Sequence, residues 1–538
     1  MQFLKENRLQ LIFLLTLAVL IYTNSFNNAF LSDDLAEIAN NPNIGNLGYA
    51  ISTHPFGFIR PLFYWLAFNL GGLNPIFFRF INLFFHLGSI ALVYFLVSKL
   101  NTKKVALFAS SIFAIHPLLT EPVVWISGGS YPQYSFFFLL SFLFYILSSK
   151  KAFSYFLSII FYLLSFMSHP VMPASLILIY PLYELVFGNL AKNWKRVIPF
   201  FLISLVYVGV NLAGLPERET TLQSVHYQER GIDNPLVQIP VAVSSYLQLF
   251  TWPQDLTLYH SELVLSQTVY IAQVIIFLAF LTMLFFSFKK DKKIFFWLSF
   301  FIIGLLPTLT PFRLNWIVAE RYVYLGSIGL VVTLAILVDK LTGKPAFKPL
   351  YFISLSILIL ALSTRTFIRN IDWKNEDNLW IATGKTSPSS PNTHNNLGDV
   401  YGRRGDKQAA LKEFQKAIEL KPNYADAYHN LANTYHELGE DDKALENYQK
   451  AAELNPNLWQ SYQNIAAIYF GLGKYDLALS NMQKAIKVNP KNLQLVNNLG
   501  IIYLKMGDKL KAKEVFNAVL SVNPTNSLAT QGLIEASK

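Results

Sequence analysis

The 538-residue chain contains no cysteine. Disulfide scaffolds, thiolate zinc sites, iron–sulfur ligation and thiol catalysis are therefore excluded. Charge is scarce as well. Asp, Glu, Lys and Arg make up 14% of the residues, against roughly a quarter in an ordinary soluble chain, which argues against an ordinary soluble enzyme. No glycine-rich loop of the kind that cradles nucleotide phosphates is present. What fills the chain instead is apolar: 53% hydrophobic and 15% aromatic residues, with 45 Phe. The net charge of +11 averages two unlike parts and is not the footprint of a nucleic-acid binder.

The parts divide near residue 388. Pro388, Pro422, Pro456, Pro490 and Pro524 recur every 34 residues. In the same frame stand Asn396, Asn430, Asn464 and Asn498, then Tyr401, Tyr435, Tyr469 and Tyr503, then Gly405, Gly439, Gly473 and Gly507. Ala410, Ala444, Ala478 and Ala512 follow, and after them Phe414, Tyr448, Met482 and Phe516. This period is that of the tetratricopeptide repeat, a helix–turn–helix unit. Small residues let the two helices approach, and glycine ends the first helix. Residues 388–538 read as four repeats plus a polar capping helix over 525–538, enough units to bury a shared core. Residues 372–387 read as a connecting helix or partial repeat, with Trp380 where a preceding repeat would place its second-helix aromatic.

Residues 1–371 carry apolar runs near 9–25, 76–98, 104–119, 131–149, 152–168, 171–187, 197–213, 269–288, 294–311, 322–340 and 349–365, each of about 17–25 residues and so of membrane-spanning length. The fold expected is all-α: a polytopic bundle of about 11 spans followed by an α-solenoid. Lys5 and Arg8 precede the first run, but no A-x-A cleavage pattern follows, so a retained anchor is expected. Short basic loops such as Lys99/Lys103/Lys104, Lys192/Lys195/Arg196 and Lys289/Lys290/Lys292/Lys293 alternate with long or acidic ones. That bias puts the N-terminus in the cytoplasm and the loops 26–75, 120–130, 214–268 and 312–321 outside, together with the repeats. The apolar stretch 236–252 would break the alternation if it crossed, so it reads as an interfacial or re-entrant helix.

The basic residues sort by type. Cytoplasmic loops are nearly all Lys, whereas Arg60, Arg79, Arg218, Arg230, Arg313, Arg321, Arg365 and Arg369 fall outside. Arginine presents a planar fork suited to phosphate or carboxylate. Two readings stay open: an anion held at the membrane surface, or salt bridges to loop carboxylates. In the first external loop Asp33 and Asp34 adjoin. One can act as general base while the other orients it; alternatively Ser32 or Asp33 caps the helix that follows. His116-Pro117 with Glu121-Pro122 makes a second cluster, either positioning substrate or forming a capped helix end with a satisfied histidine. His86 lies within the second span, where polar groups face the bundle interior. The histidine spacings match no zinc pattern. Glu320-Arg321, entering the tenth span, can bind a lipid phosphate through Arg321 or form an ion pair at a helix end.

Taken together, Asp33-Asp34, Arg60-Pro61-Leu62, Asn82-Leu83-Phe84-Phe85-His86, His116-Pro117-x-x-Thr120-Glu121-Pro122-Val123-x-Trp125, Asn234-Pro235, residues 246–260 and Glu320-Arg321-Tyr322-x-Tyr324-Leu325, with the repeats behind them, resemble the transmembrane and tetratricopeptide repeat-containing protein O-mannosyltransferases and their bacterial relatives, within the class C glycosyltransferases. The chain departs from that pattern at Gly128-Gly129-Ser130-Tyr131, where the family often has a Gly-Arg-Ala-Asp-like run, and in its short repeat array. The resemblance implies inverting transfer of a mannose-like hexose from a polyprenyl-phosphate donor to Ser/Thr hydroxyls of a protein on the extracytoplasmic face of a membrane, expected to be a bacterial plasma membrane, with or without a divalent cation. It makes Asp33 or Asp34 the base, assigns the donor phosphate to Arg321, Arg60 and Arg313, and gives His116, Glu121, Glu320 and His86 substrate-positioning roles. Asn396, Asn430, Asn464 and Asn498 would bind the acceptor polypeptide along the repeat groove. A lipid or cell-wall glycan acceptor, or a non-enzymatic membrane scaffold, are the competing functions.

Overall fold

The computed structural model describes residues 6–148, 152–214, 234–258, 260, 266–309, 317–342 and 348–538. Among them every regular element is helical. The chain divides into two compact units, Met1–Thr386 and Ser387–Lys538.

In the first unit all eleven apolar runs carry helix. Six helices are long and apolar enough to cross a bilayer: Arg8–Ser25, Pro75–Leu100, Ser127–Leu147, Leu190–Ala213, Gln267–Lys290 and Pro349–Asp372. A bent pair, Lys103–Ile115 with Pro117–Val124, makes a seventh if counted as one span. Ala152–Ser168 and Met172–Val186 are shorter apolar helices, and Lys292–Leu305 and Ser327–Leu341 complete the set. The unit is therefore that of a multi-pass membrane protein. Residues 235–251 form a further helix with Pro240 inside it.

Two boundaries differ from those expected. The run 104–119 is not one straight helix: it bends by 55° because His116, forced toward extended backbone by Pro117 (ψ 125°), cannot continue the α-helix. The run 322–340 becomes α-helical only at Ser327, after a 3₁₀ turn over Glu320–Val323.

Packing is closest where side chains vanish. A Cβ at Gly304 would lie 2.9 Å from the Gly326 Cα, and one at Gly329 would lie 2.2 Å from the Trp297 carbonyl oxygen, so Lys292–Leu305 and Ser327–Leu341 cross backbone to backbone. Hydroxyls stitch other helices. Ser141 Oγ bonds the Ser158 carbonyl at 2.5 Å and Tyr180 Oη at 2.7 Å, and Tyr162 Oη meets Ser204 Oγ at 2.7 Å. Ion pairs join the Lys-rich loops: Lys103 with Glu6 at 4.0 Å, Lys104 with Asp339 at 3.0 Å, and Lys340 with Asp291.

The second unit is four helix pairs, from Pro391–Arg403 with Lys407–Leu420 to Leu493–Met506 with Lys509–Val522, closed by Ser527–Ser537. Gly405, Gly439, Gly473 and Gly507 all adopt positive φ, from 71° to 83°, and end the first helix of each pair in the left-handed conformation that glycine alone takes without cost. Positions 398, 432, 466 and 500 are Gly, Ala, Ala and Gly. A Cβ on Gly398 would strike the Phe414 ring at 2.7 Å, which explains the small residues there. Each repeat buries its alanine and aromatic or methionine positions, as in the cluster of Ala444, Tyr448, Ile465 and Ile468.

Candidate active site

The first loop begins with a backbone constraint. Ser32 has φ of 52°. Around it Asp34 N–H donates to the Leu31 carbonyl at 2.9 Å, and Leu35 N–H to the Ser32 carbonyl at 3.1 Å. The turn then enters a short helix over Leu35–Ala39 whose cap position, Asp34, makes no capping bond. Asp34 is therefore not a capping residue of this helix. Asp34 is buried, and its Oδ1 accepts from Ser127 N–H at 2.8 Å and Ser127 Oγ at 2.6 Å, while Oδ2 accepts from Leu31 N–H at 3.2 Å. Burial pushes its carboxyl up from 3.8 to about 6, against the pull of those hydrogen bonds. Asp33 is exposed and within electrostatic reach of Arg60.

Arg60 is held by a partner the motif did not include. Its guanidinium donates to Glu37 Oε1 at 2.9 Å and to the Ser127 carbonyl at 3.3 Å, and Ser127 Oγ lies 3.3 Å from Glu37 Oε2. Glu37 follows Asp33 by four residues on the emerging helix, a spacing that could have pointed to it. Ser127 carries no such signal, since its role exists only through contacts made across 93 positions.

The second segment, 116–129, is built around Trp125. Its Nε1–H donates to the Leu31 carbonyl at 3.3 Å, its ring lies 5.4 Å from the Arg321 guanidinium, and it stacks on Trp373 at 6.0 Å. One indole thereby joins the Asp loop, the Glu320-Arg321 turn and the end of the last apolar helix. Buried Arg79 fixes the same junction by donating to the carbonyls of Val124 (3.0 Å), Asn28 and Ala29. Asn82 donates to the Trp125 carbonyl at 3.1 Å.

At the third segment Arg321 pairs with Glu121 through one guanidinium nitrogen, and its backbone N–H donates to Glu121 Oε2 at 2.9 Å. Tyr322 lies beneath the same guanidinium at 5.2 Å. Glu121 is fully buried, and the Arg321 side chain is 15% exposed. Glu320 points elsewhere. Its Oε1 accepts from Thr257 N–H at 2.5 Å and from Arg369 at 3.2 Å, with His260 Nε2 at 3.7 Å. Arg369 also pairs with Asp372 at 3.1 Å. A buried arginine in an apolar helix is itself a functional signal, and it could have marked Arg369.

The two histidines are satisfied internally. His116 Nδ1 accepts from Leu118 N–H at 3.2 Å, so Nε2–H donates to the Phe250 carbonyl at 3.0 Å. His86 bonds Tyr324 Oη at 2.7 Å and the Ala114 carbonyl at 3.3 Å. Both ring nitrogens of each residue have protein partners, as the satisfied-histidine reading has it for His116, and His86 faces the bundle interior. Arg313 lies outside the described residues, as do Arg218 and Arg230. Among the described residues no group of three or more His, Asp and Glu side chains is arranged to hold a metal ion.

In the repeats the asparagines are half-buried and engaged. Asn430 Nδ2 donates to Asn395 Oδ1 at 3.1 Å, and Asn464 Nδ2 to Asn433 Oδ1 at 3.0 Å, which ties the first repeat to the second and the second to the third. Asn396 bonds within its own helix, to the Asn392 carbonyl, and Asn498 accepts from Gln494.

Comparison with known proteins adds to this geometry. Family models described as TPR repeat match residues 398–439 and 466–507, and models described as tetratricopeptide repeat match 425–458, 447–480 and 493–526. The human protein named Protein O-mannosyl-transferase TMTC3 is 26% identical over 401 residues, covering 66% of this chain and 44% of that protein. Human Protein O-mannosyl-transferase TMTC1 is 23% identical over 495 residues, covering 76% of this chain and 54% of that protein. The chain thus spans about half the length of these relatives. Among solved structures, the crystal structure of MamA protein is 23% identical with a TM-score of 0.25, covering 27% of this chain and 81% of that one. Alignments over two thirds of the chain cannot come from the repeats alone, so the likeness extends into the apolar unit that carries the Asp, Trp125 and Arg321 junction. Proteins named Protein O-mannosyl-transferase, TMTC1 and TMTC3 among them, are thus homologues of this chain.

Proposed function

We propose that the chain transfers a hexose, mannose by the names of its homologues, from a polyprenyl-phosphate donor to Ser or Thr hydroxyls of an acceptor polypeptide on the extracytoplasmic face. The observation that carries this reading is the junction at Trp125. It brings an exposed carboxylate loop and a partly exposed arginine to one indole, the pairing that a base and a phosphate clamp require.

In this reaction Asp33 takes the proton of the acceptor hydroxyl, and the oxygen attacks the anomeric carbon. The bond between that carbon and the phosphate oxygen breaks, and the lipid phosphate leaves with the electron pair. A single displacement inverts the anomeric centre. Asp33 is favoured over Asp34 because it is exposed, whereas both oxygens of Asp34 already accept hydrogen bonds within the protein. Arg321 stabilises the departing phosphate from a site walled by Trp125 and Tyr322, where a fixed charge acts more strongly than in water. Its guanidinium has five donors, so a phosphate can be met while Glu121 keeps it aimed. Arg60 lends charge beside Asp33. The repeats present the polypeptide.

The test is transfer of labelled mannose from polyprenyl-phosphate mannose to a Ser/Thr-rich polypeptide by the full chain. Replacing Asp33 by Asn should lower the rate by about 10²–10⁴-fold, the span of general base catalysis. An unchanged rate would sink the assignment. Loss of hexose from envelope glycans instead of proteins would move the acceptor to a glycan.

A further inference from the structure

Ser32 is the one residue other than glycine with positive φ among the described residues. Its value of 52° lies in the left-handed region, which a residue with a Cβ disfavours and which persists only where surroundings impose it. Besides the local turn bonds, one contact on it is distant in sequence. Ser32 N–H donates to Glu376 Oε1 at 2.7 Å. The other oxygen of that carboxylate accepts from Trp380 Nε1–H at 2.7 Å, one turn along the same helix, Glu376–Thr386. One oxygen therefore locks the side chain and the other grips the loop. The neighbouring backbone is held by the same stretch of chain. Ala29 N–H donates to the Lys374 carbonyl at 2.9 Å, and Asn28 Nδ2 to the Asn370 carbonyl at 3.1 Å.

We propose that Glu376 is a positioning residue for the reaction: its carboxylate holds Ser32 in the left-handed conformation and so sets the direction in which Asp33 leaves the turn. The inference rests on the assignment of Asp33 as the base. A carboxylate base must be aimed as well as present, because a displacement of about 1 Å in a catalytic group costs on the order of 10²-fold in rate. Without the acceptor at position 376, Ser32 relaxes to an ordinary conformation and the turn re-aims Asp33. Glycine adopts positive φ without help, so Ser32→Gly should substitute for the missing contact.

The test uses the full chain in detergent, with labelled polyprenyl-phosphate mannose and a Ser/Thr-rich polypeptide. It also follows hydrogen exchange over residues 28–40. Glu376→Ala is expected to lower kcat by about 10- to 100-fold, to leave the donor KM little changed, and to speed exchange in the loop but not in Ser130–Leu147. Glu376→Gln, with one acceptor oxygen for two donors, should fall between. The double variant Ser32→Gly/Glu376→Ala should regain kcat to within about threefold of wild type. A wild-type kcat in Glu376→Ala overturns the inference, as does a loss that Ser32→Gly fails to recover in a protein of unchanged melting temperature. If Glu376→Ala does not fold, Glu376→Gln with and without Ser32→Gly decides by the same criteria. An active Asp33→Asn enzyme would remove the base assignment, while the exchange data would still report whether Glu376 holds Ser32.

Discussion

Asp34 spends its charge inside the protein, and this has a thermodynamic signature. Its carboxyl lies at about 6 in the folded chain against 3.8 ordinarily, so the folded state binds the proton more tightly than the unfolded one. Stability should then fall as pH rises from about 4 to about 6, by about 3 kcal/mol in total. Thermal denaturation in detergent across that range should show the slope, and Asp34→Asn should abolish it. Asparagine keeps an acceptor for Ser127 but turns a donor toward Leu31 N–H, so its melting temperature should be lower at acidic pH. The Asp pair was legible in the sequence as a pair. Which member is buried was not, because the distinction is made by Ser127, 93 positions away. The same holds for the histidines, whose partners Phe250 and Tyr324 lie on segments that sequence spacing does not bring together.

At the scale of elements, the apolar runs were readable as helices from composition and length, and the bend at His116 follows from Pro117. The crossing of Lys292–Leu305 with Ser327–Leu341 was not readable, because glycine in an apolar run gives no hint of what approaches it. That crossing carries a sharp expectation. The Cβ of Gly329→Ala would sit 2.2 Å from a backbone oxygen that cannot rotate away. The helices must separate, at a cost of about 1–3 kcal/mol, and the detergent-solubilised chain should melt lower by differential scanning fluorimetry. A melting temperature equal to wild type would show that the helices cross more loosely than the geometry requires. In the repeats the opposite applies: the 34-residue period is so regular that the glycines ending the first helices, the Ala410 series and the aromatic fillers are readable from sequence alone, though the small residues at 398 and 500 are explained only by the Phe414 and Phe516 rings they face.

For the whole molecule, the Lys-rich loops converge through Lys103–Glu6, Lys104–Asp339 and Lys340–Asp291, while the Asp loop meets Trp125 and Glu376 elsewhere in the bundle. If the lysines mark the cytoplasmic side, a phosphatase reporter fused after Lys538 should be active only when exported. Activity of a cytoplasm-dependent reporter there would place the repeats on the wrong side for the proposed acceptor. The hydroxyl contacts among Ser141, Ser158, Tyr162, Tyr180 and Ser204 join segments fewer than fifty positions apart. The loop that carries Asp33 is tied to Ser127 and Trp125, and in addition to residues 367–376, more than 340 positions later. During synthesis the middle helices can therefore associate as they emerge, whereas the turn at Ser32 must wait for the last apolar helix and the segment after it. A nascent chain would hold Asp33 without a fixed aim until about seven tenths of it had been made, so the proposed transfer competence would come late in assembly.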